Sequence, residues 1–286
     1  FRRVLFRSCQ PCVATLVAAA VMAQTNNPAQ PRSMTLMAGP IDTRVNPTKV
    51  NELANSHSID WFERNLIARV PFRYGGAFRR VYPGFVQLAA FMSMNIERHV
   101  KAHRELYDNL SKGELEKAKT TKDFYDEYFA VLDLSAEFYL ETVSRVFQQH
   151  ELSKGTMTFR GDTIEPMAIR RTALLTVEGE RDDICAVGQT SAAHDLCSSL
   201  RPYRKRHHMQ AGVGHYGVFS GKRWEQQYWF GPAYLSVLPP PVMRLASPKP
   251  VDALVDSLAP LEAQLQRQAA RDNDLPSQDE IGRAHV

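Results

Sequence analysis

A thiol, a carboxylate and an imidazole occur in this sequence in short segments of the kind that follow strands. Cys9 lies in FRSCQPC, Asp182 in GERDD and His215 in GVGHYG. A thiolate attacks an ester carbonyl when an imidazole takes its proton and a carboxylate orients that imidazole. Taken alone, Asp182 could equally cap a loop, and His215 could be an ordinary surface histidine. Their occurrence together with Cys9 favours acyl-transfer chemistry.

The residues after Cys9 predict how its thiol is activated. Residues 13–24 are mostly Ala, Val, Leu and Met and predict a helix. Cys9 then lies just before a helix N-terminus, where unpaired backbone N–H groups and the helix dipole stabilise a thiolate.

The other two groups follow predicted strands. The predicted strands are residues 33–38, 171–177 and 207–211, and a helix is predicted between the last two, at 187–200. In a parallel sheet the loops that carry Asp182 and His215 leave the same edge. The predicted fold class is α/β.

A long helical and aromatic region separates the first two predicted strands. We expect its first helix to begin with Asn46 as the N-cap and Pro47 at the first helical position. Residues 124–150 carry apolar side chains on more than one helical face and are predicted to be largely buried. Inserted between strands, the region is typical of a cap over a pocket. A further aromatic helix is predicted at 224–234.

Composition excludes several classes of function. The chain has 286 residues, is 44% hydrophobic and carries a formal net charge of +4, so charge gives no case for nucleic acid or an anionic membrane. Four cysteines do not make a disulfide framework at this length and favour a reducing compartment. No apolar run reaches the roughly 18 residues of a membrane-spanning helix. Neither His207-His208 nor Cys185 and Cys197 fit a standard zinc-ligand spacing.

The first residues allow other interpretations. Arg2, Arg3 and Arg7 before an apolar run could form a secretory signal, and Cys9-Gln10-Pro11-Cys12 is similar to the redox motif of thioredoxin-like proteins. However, FRRVLFRS and IGRAHV are the translations of two paired sequencing adapters. We therefore expect residues 1–8 and 281–286 to be adapter-derived and to take no part in the fold.

On that interpretation the natural protein continues upstream of Cys9. The early strands, the strand leading into the Cys9 turn and a second oxyanion donor are expected there. Residues 9–280 alone are then expected to be poorly soluble or inactive, because the sheet exposes an apolar edge.

Several motifs together resemble one family. They are CQP from Cys9, LMAGPIDTRVNPTKVNELA from Leu36, YPGFVQLAAFMSMN from Tyr82, LLTVEGERDDICAVGQT from Leu174 and GHYGVFSGKRW from Gly214. The sequence resembles intracellular polyhydroxyalkanoate (polyhydroxybutyrate) depolymerases of the α/β-hydrolase superfamily, from the nucleophile onward. This resemblance implies the later part of an α/β-hydrolase fold with a helical cap.

The resemblance also implies roles for individual residues. Cys9 is the nucleophile, His215 the base, and Asp182 the acid, with Asp183 as the alternative acid. The backbone N–H of Gln10 is the oxyanion donor. No cofactor or metal is implied.

The implied substrate is a storage polyester, and the implied location is the cytoplasm at the granule surface. Trp61 and Phe129 of the cap are predicted to bind the polymer. Nucleic acid is not an expected partner, and the oligomeric state is left open. The alternatives are another esterase or thioesterase of this fold, a non-catalytic granule-associated protein, and a thioredoxin-like oxidoreductase that uses Cys12.

The predicted organisation has four natural segments between the adapter ends. They are a nucleophile helix and strand (9–45), a cap (46–155), a core with the acid and histidine loops (156–240), and a polar, amphipathic tail (241–280).

Overall fold

A computed structural model of the chain describes residues 4–219, 221, 223 and 224. The strands are β1 (Val4–Ser8), β2 (Ser33–Met37), β3 (Ala68–Arg69), β4 (Arg80–Tyr82), β5 (Leu134–Ser135), β6 (Thr158–Phe159), β7 (Asp162–Thr163), β8 (Ala173–Gly179) and β9 (Lys205–Gln210). The α-helices are α1 (Pro11–Gln24), α2 (Lys49–Ser56), α3 (Ile59–Leu66), α4 (Gly84–Met94), α5 (Ile96–Ser111), α6 (Leu115–Phe129), α7 (Ala136–Thr142), α8 (Glu151–Lys154) and α9 (Ala193–Leu196). A π-helical segment, Val143–Gln148, continues α7, and 3-10 turns lie at Pro166–Ala168, Pro202–Arg204 and His215–Val218.

Four strands form the central sheet, in the order β1-β2-β8-β9, and each neighbouring pair is parallel. β2 and β8 are adjacent, although α2 to α8 lie between them in the chain. The predicted α/β class, with a helical insertion between two strands, is confirmed.

The middle of this sheet is buried on both faces. All seven residues of β8 are buried. Leu174 belongs to an apolar cluster with Leu16 of α1, whereas Leu175 and Val177 belong to a second cluster with Val218. Burial on both faces is typical of parallel strands and explains the mostly apolar composition of this part of the sequence.

The loops that follow the strands meet at one edge of the sheet. Cys9 directly follows β1, Asp182 follows β8, and His215 follows β9. Parallel strands end on the same side, so these three loops are neighbours. The prediction that the acid and histidine loops share an edge is therefore confirmed.

The strand expected upstream of the chain is formed by residues within it. Val4–Ser8 pairs with β2 from Val4 opposite Ser33 to Ser8 opposite Met37. Parallel pairing uses backbone groups, and Val, Leu and Phe are compatible with a strand. The expectation that this segment takes no part in the fold is therefore wrong. Its adapter origin remains a prediction.

The first cap helix begins later than predicted. The N-cap of α2 is Thr48, whose side chain accepts from the backbone N–H of Asn51, while the Asn51 side chain accepts from the Thr48 N–H. Asn46 instead has a φ of 44° and donates its side-chain amide to the Val187 carbonyl. A reciprocal pair of side-chain caps satisfies two backbone donors and fixes the helix start.

The predicted helix at 187–200 is mostly absent, since α9 covers only Ala193–Leu196. The backbone N–H groups of Gly188, Thr190 and Ser191 are bound by the carboxylate of Glu178 at 2.7–3.0 Å. A side chain from the neighbouring strand therefore replaces the helical hydrogen bonds, and Gly188 adopts a φ of 98°.

The cap is less buried than predicted. α5 and α6 pack against each other, and β3, β4 and β5 form a small antiparallel sheet. Phe124, Phe129 and Phe138 remain 43–45% exposed, and among the described elements the main neighbour of α6 is α5. The expectation that residues 124–150 are largely buried is therefore wrong.

The helix predicted at 224–234, beyond Trp224, lies outside the described residues, as do residues 241–280 and 281–286. The domain boundaries given above remain predictions.

Candidate active site

Cys9 lies at a sharp turn between β1 and α1. Its φ is 59°, in the left-handed region that residues other than glycine rarely adopt. The turn is held by the Cys9 N–H, which donates to the Met37 carbonyl of β2 at 2.8 Å, and Pro11 opens the helix that follows. Strain of this kind is concentrated at functional sites, and a strained strand-to-helix turn is how α/β-hydrolases expose their nucleophile.

The loop after β8 holds Asp182 rigidly. One carboxylate oxygen accepts from the backbone N–H groups of Ile184 and Cys185, at 2.9 and 2.8 Å. The other oxygen lies 2.8 Å from Nδ1 of His215, and both side chains are buried. Asp183 is exposed and accepts from the side-chain amide of Asn95. Of the two neighbouring acids, Asp182 is the one in contact with the imidazole.

His215 begins the 3-10 turn after β9 and is held between the acid and the thiol. Burial lowers the pKa of His215, but hydrogen bonds to Asp182 and Cys9, together with their negative charge, outweigh it and raise the pKa to about 10. The Asp182 carboxylate lies 2.8 Å from the imidazole, and Cys9 is close enough to help favour the protonated form of His215. That the three residues act together as a catalytic triad remains a prediction.

Cys9 differs from the other three cysteines. All four are free thiols, and Cys9 is half-buried, whereas Cys12, Cys185 and Cys197 are buried. Burial raises the pKa of both Cys12 and Cys197 to about 12 and raises that of Cys185 as well. A thiol must ionise to react, so Cys12 is poorly suited to act as the resolving thiol of a redox pair.

Gln10, the predicted oxyanion donor, is the N-cap residue of α1 and has helical backbone angles. Backbone N–H groups at a helix N-terminus lack partners within the helix and point towards the incoming chain. Its position directly after Cys9 is the position from which a nucleophile turn supplies an oxyanion donor.

A buried polar network connects the acid loop to the nucleophile turn. Glu178, which is fully buried, binds the Thr190 N–H, and the Thr190 hydroxyl lies 2.8 Å from the Gly39 N–H and 3.0 Å from the Gly39 carbonyl oxygen. Gly39 in turn lies against α1, because a Cβ at this position would be 2.3 Å from the Cβ of Cys12. The network thus fixes the loop after β2 beside the Cys9 turn.

Sequence reasoning missed Glu178 and Thr190. The segment LLTVEGE could have indicated a buried polar network, because Thr176 and Glu178 interrupt an otherwise apolar buried strand. Buried carboxylates require hydrogen-bond partners, so a glutamate in such a strand predicts a structural network. The partners themselves lie in a loop with no regular pattern.

A cavity of about 810 Å³ opens beside His215. Its lining includes aromatic rings from α4 and α6 of the cap and from the histidine loop: Phe91, Phe124, Tyr125, Tyr128 and Tyr216. The rings of Tyr128 and Tyr216 are 5.7 Å apart and join the cap to the histidine loop. Sequence reasoning did not identify these rings individually.

The two cap residues predicted to bind polymer, Trp61 and Phe129, do not line this cavity. Trp61 packs against His57 and Phe62, with ring centroids 4.0 and 5.2 Å away. Phe129 packs behind Tyr125 and is not among the residues that line the cavity. The structure therefore does not bring Trp61 or Phe129 to the catalytic groups.

Within the described part of the chain, no group of three or more His, Cys, Asp or Glu side chains is placed to hold a metal ion. His207, one of the residues weighed for zinc, lies 2.9 Å from the Thr176 hydroxyl. None of the helices among residues 4–219 combines the length and the hydrophobicity that crossing a bilayer requires.

Solved structures similar to this chain include α/β-hydrolases, esterases and lipases. The α/β-hydrolase GrgF from Penicillium sp. sh18 is 17% identical (TM-score 0.36) and aligns over 78% of this chain and 59% of its own. A putative lipase (lip1) from Acinetobacter baumannii AYE is 13% identical (TM-score 0.34) and aligns over 81% of this chain and 60% of its own. Carboxyl esterase 2 from the mycorrhizal fungus Tuber melanosporum is 10% identical (TM-score 0.33) and aligns over 79% of this chain and 47% of its own. The chain spans only about half to three fifths of the length of these proteins.

No curated protein sequence matches the chain significantly. Residues 38–230 match the family described as "PHB de-polymerase C-terminus". The matched segment includes Asp182 and His215 and begins after Cys9. Because the match covers more than half of the chain, the protein belongs to the PHB depolymerase C-terminus family.

Proposed function

We propose that the protein is a carboxylic ester hydrolase that cleaves a polyhydroxyalkanoate storage polyester, with Cys9 as nucleophile, His215 as general base and Asp182 as the orienting acid. The observation that carries the proposal is the thiol on a left-handed turn in contact with an imidazole that Asp182 holds at 2.8 Å. The family match over the acid and histidine loops supports a polyester as substrate.

In the first step, His215 takes the Cys9 proton and the thiolate attacks the ester carbonyl. Asp182 stabilises the resulting imidazolium, for which the raised pKa of His215 is favourable. Negative charge on the carbonyl oxygen is stabilised by the Gln10 backbone N–H and by the N-terminus of α1. His215 then protonates the departing hydroxyl group, which leaves a thioester on Cys9.

In the second step, His215 activates a water molecule that attacks this thioester. Collapse of the tetrahedral intermediate breaks the carbon–sulfur bond, releases a carboxylic acid and restores the Cys9 thiol. The chain's own side chains supply each proton transfer in this scheme.

The aromatic cavity suits the substrate because a polyester is apolar between its ester groups. Phe124 and Tyr128 offer flat apolar surfaces beside His215, as ligand sites commonly do. Trp61 and Phe129 are proposed to contact polymer farther from the reacting bond. Activity on a storage polymer would locate the protein at granules in the cytoplasm.

The test compares Cys9→Ala with Cys12→Ala. Both this chain and the longest open reading frame that contains it are assayed on amorphous poly-3-hydroxybutyrate granules and on a soluble thioester. Cys9→Ala is expected to remove hydrolysis, whereas Cys12→Ala retains it. Loss of function in Cys12→Ala alone would favour a redox protein. Activity on thioester but not on polymer would favour a thioesterase, and polymer binding without turnover would favour a non-catalytic granule protein.

Alkylation provides a second readout that does not need turnover. Iodoacetamide at neutral pH is expected to modify Cys9 first, because the other three thiols are buried. Peptide mapping by mass spectrometry identifies the modified residue. Equal labelling of all four cysteines in folded protein would contradict the proposed nucleophile.

A further inference from the structure

We propose that the cavity beside His215 binds the free carboxylate end of a short hydroxyalkanoate ester chain through Arg98 and Arg181. This inference rests on the proposed ester hydrolysis and adds the part of the substrate that the site recognises. The enzyme would then prefer acid-terminated oligomers over esters whose acid end is blocked.

The two arginines approach the cavity from different elements. Arg98 lies on α5 of the cap, and Arg181 lies in the acid loop, next to Asp182. Both line the cavity that His215 also lines. The position of Arg181 is fixed through its backbone, whose N–H donates to the Val213 carbonyl at 2.9 Å.

Both guanidinium groups are available to bind the carboxylate of a ligand. Among the described residues, neither Arg98 nor Arg181 makes an ion pair or a side-chain hydrogen bond, although ion pairs are common elsewhere on the cap, as between Lys119 and Asp123. Guanidinium groups bind carboxylates through two parallel hydrogen bonds, and such charge-assisted bonds are among the strong ones. Two unpaired arginines beside aromatic rings are therefore suited to an apolar chain that ends in a carboxylate.

The remaining charges of the cavity leave an excess of positive charge. Asp183 is the acid of the lining, and its carboxylate already accepts from Asn95 at 2.7 Å. His99 faces Tyr125, and burial, with the nearby charge of Arg98, lowers its pKa, which disfavours a positive charge on this ring. The positive charge of His215 is balanced by the carboxylate of Asp182. Two positive charges thus face one negative charge.

The position of this charge has a consequence for the reaction. An oligomer whose carboxylate is bound by the arginines presents an ester bond near its acid end to His215, which lines the same cavity. Cleavage there releases hydroxy acids one or two units at a time, so a reaction that consumes short hydroxy acids must follow.

The test uses two matched substrates, the linear trimer of 3-hydroxybutyrate as its free acid and the same trimer as its methyl ester. We expect the free acid to have a KM about tenfold lower. Arg98→Gln and Arg181→Gln should each remove most of this advantage, so that the two trimers have similar KM values. Arg104→Gln is the control, since Arg104 is exposed on the same helix and lines a different groove.

A binding measurement separates this inference from the proposed function. Calorimetric titration of the Cys9→Ala protein with the two trimers reports recognition without turnover. The inference is overturned if both trimers bind equally, or if the two arginine variants behave like Arg104→Gln. If the free acid binds preferentially but unaltered protein cleaves neither trimer, the proposed hydrolysis fails and the anion site remains.

Discussion

The edge of the central sheet and the cap are built in different ways. At the sheet edge, Cys9, Asp182 and His215 are held by buried backbone hydrogen bonds and by strands covered on both faces. In the cap, rings such as Phe124 stack on one another while remaining partly exposed. In the proposed function, groups that transfer protons need fixed geometry, whereas a surface that accepts an irregular polymer needs contact area. The comparison therefore predicts that the proposed catalysis and the proposed substrate binding are sensitive to different kinds of mutation.

The strongest test of this contrast replaces one of two adjacent acids. Asp182→Asn is expected to lower kcat by about 10⁴-fold, because the amide no longer stabilises the imidazolium. Asp183→Asn, one residue away but exposed, should change kcat by less than about threefold. Steady-state kinetics on a soluble ester measures both. Similar losses in the two variants would remove the basis for assigning the acid.

A second test removes the charge of Glu178, which touches neither substrate nor nucleophile. Glu178→Gln is expected to lower the free energy of unfolding by about 3 kcal/mol, since three backbone N–H groups lose a buried carboxylate. Urea denaturation measures the change. Glu165→Gln, at an exposed position, is the matched control, and an equal effect in both variants would show that the network contributes little.

A third test introduces a methyl group where the loop after β2 lies against α1. Gly39→Ala is expected to cost about 2 kcal/mol of stability and to shift α1, because the new Cβ collides with Cys12. Gly75→Ala, where no atom lies within 4 Å of the added Cβ, should be nearly neutral. Thermal unfolding together with the rate of Cys9 alkylation reports both effects. Unchanged alkylation would mean that the turn tolerates the shift.

The smallest effects are expected in the cap. Phe124→Ala and Tyr128→Ala should raise KM about fivefold for soluble ester and for polymer, because both rings line the cavity. Trp61→Ala and Phe129→Ala should affect polymer hydrolysis alone. Parallel assays on the two substrates separate these cases. If polymer hydrolysis is unchanged by the last two substitutions, the proposed polymer contacts of Trp61 and Phe129 are wrong.

The sequence predicted the sheet edge better than the cap for a physical reason. β8 is buried along its whole length and is mostly apolar, so the loop carrying Asp182 could be located from the strand before it. Helical periodicity in the cap identifies helices but does not reveal what covers them, which is why the exposure of Phe124 was not foreseen. The contacts of Glu178 were also unpredictable, because they join a strand to an irregular loop.

The registration of β1 against β2 has a consequence for the reacting sulfur. Side chains alternate between the two faces of a strand, so sliding β1 along its neighbour by one residue would reverse which face each of its side chains occupies. The thiol that follows β1 would then turn away from its imidazole, even with every reacting group still present. Backbone pairing between Val4–Ser8 and Ser33–Met37 therefore determines the direction in which Cys9, the proposed nucleophile, points.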